Sequence, residues 1–144
     1  MRKNGKPDKK NVNMKTIIIK IEKGIDQYGA WVEGIPGIYG AGDTVKEVKS
    51  NILEAIQLYE KYNEELPKGL DGNYNIKWEF DTASFLEYIS IVFTKSGLEK
   101  ITGINQKQLG HYSSGLKKPR KTQIEKIDSG IHKFVDDLMQ IHLV

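Results

Sequence analysis

From 16 to 22 the chain alternates, with Ile17, Ile19 and Ile21 on one side and Ile18, Lys20 and Glu22 on the other. A β-branched run of that period is a strand with one buried face. A turn at 23–27 follows. Tyr28, Ala30 and Val32 then alternate against Trp31 and Glu33, predicting a second strand over 28–33. Gly34-Ile35-Pro36-Gly37 predicts a tight connection, and 38–41 a third, short strand broken by Gly42-Asp43. The period then changes. Val45, Val48, Ile52, Ile56, Tyr59 and Tyr62 recur at helical spacing, with Thr44 and Glu47 as a capping box worth roughly 1 kcal/mol. Leu66-Pro67 ends that helix, and Tyr74, Ile76, Trp78 and Phe80 alternate with Asn75, Lys77 and Glu79 as a last strand. So long a helix crosses the sheet and returns this strand parallel to an earlier one. Residues 15–80 are expected to form a βββαβ sheet with a helix on one face only.

After residue 80 the period stays helical. Asp81 or Thr82 caps a helix expected to run to about 93, burying Phe85, Leu86, Ile89 and Phe93. A short helix over 98–102, with Leu98 and Ile101 inward, precedes a turn at Gly103-Ile104. Asn105 caps the next helix, 106–113, where Leu109 and Tyr112 share a buried face. That leaves Gln106, Lys107, Gln108 and His111 outward. Gly115 closes the helix, and Lys117, Lys118 and Arg120 bracket Pro119 beyond it. Ile124, Ile127, Ile131, Phe134, Leu138 and Ile141 predict a final long or broken helix. The whole reads as α+β, an α/β domain at 15–80 followed by an all-helical one at 81–144.

Charge sharpens this division. Residues 1–14 hold five Lys/Arg against one acid, 15–80 eight against eleven, and 81–144 nine against seven. The first stretch reads as a disordered basic tail, and Met14 stands directly before the first strand, where a start codon would fit. Within the last segment, Lys95 to Lys121 contains seven bases and only Glu99 as an acid, the footprint of a nucleic-acid partner. The acidic middle segment suits a basic protein instead. There is no apolar run long enough for a membrane span, and nothing resembles a signal peptide, so a cytoplasmic protein without a membrane partner is expected. Cysteine is absent and the three histidines stand apart, which predicts no disulfide, no metal site and no cofactor.

The helix at 106–113 carries the clearest chemistry. Gln pairs bidentately with adenine, Lys reaches guanine, and a basic exit loop neutralises phosphate. Asn105, Gln106, Lys107, Gln108, His111, Ser114, Lys117, Lys118 and Arg120 are the candidate DNA contacts of a helix-turn-helix. Catalysis has weaker support. A two-metal nuclease needs converging carboxylates, and the spacing of Asp26, Glu33, Asp43 and Glu79 forces no convergence. The glycines at 34, 37, 40 and 42 read as turn punctuation, not as a phosphate cradle. The chain is expected not to be an enzyme.

The run YGAWVEGIPGIYGAGDTVKEVKSNILEAIQLY resembles the HicB family of bacterial antitoxins in its aromatic-rich strand, its Ile35-Pro36-Gly37 turn, Gly42-Asp43-Thr44, Glu47 and the amphipathic helix. The likeness covers 15–80. It implies a partial ribonuclease-H-like domain joined to a DNA-binding domain, here of the phage-repressor helix-turn-helix kind. It also implies a partner, a small basic HicA-like ribonuclease toxin, whose RNA surface and catalytic His the α/β domain masks. Tyr28, Trp31, Glu33 and Tyr39 are then the candidate toxin contacts. The helix-turn-helix would repress the shared operon as a homodimer or higher oligomer, with Phe134, Leu138 and Ile141 as the candidate seam. One departure from the phage-repressor pattern is Glu99, where a small residue usually lets the two motif helices cross. The alternative is a transcription regulator whose α/β domain senses a small ligand.

Overall fold

The computed structural model describes residues 14–144, so the disorder expected of the tail at 1–14 lies, but for Met14, outside the described residues. The chain divides into two units that meet between Phe80 and Asp81. In the first, β1 (Lys15–Lys23), β2 (Tyr28–Val32), β3 (Tyr39–Gly42), α1 (Val45–Tyr62) and β4 (Tyr74–Phe80) follow in that order. The sheet order is β3-β2-β1-β4, antiparallel except where β4 runs parallel to β1.

Ile17, Ile19 and Ile21 of β1 and Ala30 and Val32 of β2 turn to one face, where they bury against Val48, Ile52 and Ile56 of α1. Each fully buried aliphatic side chain contributes roughly 1.5–3 kcal/mol. Thr44 Oγ1 accepts from the Glu47 N–H at 3.1 Å, and the Glu47 carboxylate accepts from the Asp43 N–H at 2.9 Å, completing the capping box. Gly34 and Gly37 do turn the chain, with φ of 76° and 91°. Gly40 and Gly42 do not. They lie within β3 on the helix side, where a Cβ would stand 2.7 Å from the backbone nitrogens of Ile52 and Val48. Their purpose is close approach. α1 sits directly on the β3 backbone and leans over β3 and β2 rather than over β4.

The connection back to β4 is pinned by Leu70, 2% exposed, and by the Lys15–Asp71 ion pair at 2.6 Å. Tyr74 at the start of β4 donates to Glu60 of α1 at 2.6 Å. Burial, then the Glu60 carboxylate, push the Tyr74 phenol up to about 12.

The second unit contains α2 (Thr82–Ile89), α3 (Lys95–Thr102), α4 (Gln106–Ser113) and α5 (Lys121–Met139). Leu86, Ile89, Leu98, Ile104, Leu109, Tyr112, Ile127 and Ile131 form its core. α2 ends at Ile89, short of the expected 93, because Ser90 turns its hydroxyl to the Glu87 carbonyl and the exposed Ile91 and Val92 follow. Phe93 then comes back to meet Phe134 edge-on at 6.0 Å. α5 crosses the end of α3 at Gly130, where a Cβ would stand 2.7 Å from the Ile101 carbonyl oxygen. No helix among the described residues is long and apolar enough to cross a membrane.

Gly40→Ala and Gly130→Ala should each destabilise the chain by about 1–3 kcal/mol, since backbone must move to admit the methyl. Gly29→Ala, with nothing within 4 Å of its added Cβ, should cost little. Urea midpoints at constant slope would show the difference. A pH series addresses Tyr74: its phenol ionises near 10.0 in the unfolded chain but near 12 when folded. Stability present below 10.0 is therefore lost as pH climbs toward 12. Melting temperatures of wild type should fall more steeply across that interval than those of Tyr74→Phe.

Candidate nucleic-acid interface and open sheet face

α3 and α4 are eight-residue helices joined by Gly103, Ile104 and Asn105. Gly103 takes the left-handed conformation, φ 74°, that closes α3. Thr102 Oγ1 donates to the Leu98 carbonyl at 2.7 Å and accepts from the Ile104 N–H at 3.2 Å. Ile104 drops into the core beside Leu109 and Tyr112. Asn105 caps α4, its side-chain oxygen accepting from the Gln108 N–H at 2.8 Å. The turn is thus fixed by hydrogen bonds and one buried anchor.

Glu99 has a local explanation. Its carboxylate reaches over the turn to the Gln106 N–H and the Gln106 side-chain amide, both at 3.3 Å, at the positive end of α4. One amide hydrogen of Gln106 is held there, leaving its carbonyl and second hydrogen for another partner.

The sequence candidates then separate. Asn105, Gln106, Lys107, Ser114, Lys117, Lys118 and Arg120 are exposed. No salt bridge among the described residues holds Lys107, Lys117, Lys118 or Arg120. Gln108 is half-buried and donates to the Tyr112 hydroxyl at 2.8 Å, so it faces the helix flank more than solvent. His111, expected outward, is also half-buried, with Nδ1 enclosed and unpartnered. The loop after α4 is held by the Lys117 N–H, which donates to the His111 carbonyl at 3.1 Å. Lys95 is a further cation beside this helix: its Nζ would lie 3.5 Å from a Cβ on Gly110. Its distance in sequence hid it.

In the first unit the sheet face opposite α1 has its own order. Strand registers place Tyr39, Trp31, Lys20 and Glu79 in one row across the four strands. Trp31 is 36% and Tyr39 67% exposed. Lys20 contacts Glu79 at 2.7 Å and Glu33 at 3.8 Å, and Lys77 contacts Glu79 at 3.2 Å. The Lys20 ammonium, then Lys77, holds the Glu79 carboxyl below the usual range. Tyr28 does not join Trp31, Glu33 and Tyr39. It is 7% exposed and on the helix side, because its position in β2 has the parity of Ala30 and Val32. Trp31, Gly34, Ile35, Pro36 and Tyr39 border a shallow depression of about 290 Å³.

Of the dispersed acids, Glu33 and Glu79 share Lys20, whereas Asp43 sits at the start of α1 and Asp26 in the β1–β2 turn. No group of three His, Asp or Glu side chains among the described residues is arranged to hold a metal ion.

Gly110 costs α4 about 1 kcal/mol relative to Ala, and the space beside it is occupied only by the tip of Lys95. Gly110→Ala should therefore raise stability by about 1 kcal/mol, read as a higher urea midpoint. A lower midpoint would mean that α4 packs more tightly than described. No family model, curated protein or solved structure matches this chain.

Proposed function

We propose that this chain is a HicB-type antitoxin that neutralises a small basic mRNA-cleaving toxin and represses its own operon. One observation carries the proposal: the two units offer surfaces of opposite character. The first, with an excess of acids, leaves Trp31 and Tyr39 exposed in a row with Glu33 beside them. The second presents the N-terminal turn of α4 and its exit loop with Lys107, Lys117, Lys118 and Arg120 in no salt bridge among the described residues. The resemblance at 15–80 supports the same assignment.

In this account the partial ribonuclease-H-like sheet is non-catalytic and acts by steric masking. Aromatic side chains beside acids suit a basic protein surface, as the interiors of protein interfaces favour aromatics and their rims favour polar groups. α3, the turn and α4 are the helix-turn-helix, with α4 in the major groove. Gln106, steadied by Glu99, and Lys107 read base edges, while Asn105, Ser114, Lys117, Lys118 and Arg120 sit toward the backbone. A single short helix reads few bases, so the bound form is a dimer. Val135, Leu138, Met139 and Ile141, each at least 40% exposed around the end of α5, supply its seam. The ligand-sensing alternative has less support, because the depression at Trp31 is wide open to solvent and only at the lower end of the roughly 300–1,000 Å³ of ordinary ligand pockets.

The two activities should separate. Gln106→Ala with Lys107→Ala should weaken operator binding by roughly tenfold or more while leaving ribonuclease inhibition intact. Trp31→Ala with Tyr39→Ala should do the reverse, with inhibition lost and operator binding kept. Gel-shift titration and an RNA-cleavage assay with the co-expressed toxin read the two. Loss of both activities in either variant would contradict separate surfaces.

A further inference from the structure

The outer edge of β4 is a further exposed feature of the first unit. The Glu33 N–H donates to the Ile18 carbonyl, which turns the even-numbered main-chain groups of β1 toward β2. Ile17, Ile19 and Ile21 therefore turn theirs toward β4, where they stand opposite Ile76, Trp78 and Phe80. In a parallel ladder the residues flanking those partners, Lys77 and Glu79 among them, return the bonds to β1. Ile76 and Trp78 consequently aim their N–H and C=O groups outward, and no main-chain partner meets them among the described residues. The edge has little of the usual protection. It has no proline and runs seven residues, and its one lysine, Lys77, is engaged by Glu79 of the same strand. On the helix side Tyr74, Ile76, Trp78 and Phe80 are only half-buried. α1 reaches this strand through long side chains, Lys49 lying 5.0 Å from the Trp78 ring centre and Glu60 meeting Tyr74.

We propose that a second copy of this chain pairs with β4 edge to edge, antiparallel about a two-fold axis at Trp78, joining two sheets into one. The strand is self-complementary about that residue. Lys77 falls opposite Glu79 of the other copy, twice by symmetry, and Ile76 falls opposite Phe80. Trp78 meets its own counterpart as a hydrogen-bonded pair, which makes Lys77 and Glu79 the closer, non-hydrogen-bonded pair. Centring the axis on Lys77 instead would oppose two lysines. The pairing extends the apolar row beyond the reach of α1 and closes the open ladder. It goes beyond the antitoxin proposal and does not rest on it.

The chain contains no cysteine, so introduced thiols are unambiguous. Full-length Lys77→Cys and Glu79→Cys proteins, mixed reduced and then oxidised with diamide, should give a mixed disulfide dimer in preference to either self-linked product. Non-hydrogen-bonded antiparallel neighbours lie within disulfide reach. Separately, Lys77→Glu should weaken this second contact about tenfold in sedimentation equilibrium, read as loss of species larger than the α5-linked dimer, because two opposite-charge pairs become like-charge pairs. Lys77 is well exposed, so that change spares the fold. Absence of the 77–79 link, self-linking of Lys77→Cys, or association unchanged in Lys77→Glu would each overturn the pairing.

Discussion

One helix covers one side of this sheet, and the rest of the first unit follows from that. A helix with its side chains is roughly 10–12 Å across, while four strands spaced roughly 4.8 Å apart span more. α1 cannot shield the full width. Gly40 and Gly42 decide where it sits, by letting its backbone come down onto β3. The core is therefore deepest under β1 and β2, where Ile19, Val48 and Ile52 have no measurable exposure. β4 is left under the fringe of α1, and no described element of the first unit covers the opposite face.

That uncovered face is not simply polar, as a solvated face would be. Its central row pairs two aromatic side chains with a Lys–Glu couple, and Lys20 bridges Glu79 and Glu33 in place. Exposed aromatics fixed by the pleat, with charges already ordered by one another, would lose little freedom on binding the proposed partner. The second unit uses the same economy. Glu99, Thr102 and Asn105 fix the α3–α4 turn through side-chain bonds to backbone, so the exposed start of α4 is set before any contact forms.

Much of the fold was legible because period and capping agree along the chain. The alternation at Ile17, Ile19 and Ile21, the Thr44–Glu47 box and the 3.6-residue spacing from Val45 to Ile56 each correspond to an observed element. Glycine was misread. Gly40 and Gly42 look like turn residues in sequence, and only the α1 backbone overhead reveals that they are strand residues kept small. Parity in β2 was sufficient to put Tyr28 in the core, and an aromatic-rich motif drew attention away from it. In α4, spacing placed Leu109 and Tyr112 correctly. It could not show that Gln108 would turn to Tyr112 or that His111 would be half enclosed, because those depend on neighbours brought in by the turn. Glu99 looked like a misfit at a helix crossing and proves to be a capping group for the next helix.

The proposed protein-docking role of the open sheet face can be tested directly. Hydroxyl-radical footprinting of the full chain, alone and with a small basic ribonuclease of the proposed toxin class, tests it at the residues concerned. Trp31 and Tyr39 should be oxidised readily in the free chain and protected several-fold in the complex, with Leu116 beside α4 unchanged in both. A stable complex in which Trp31 and Tyr39 stay as reactive as in the free chain would contradict it.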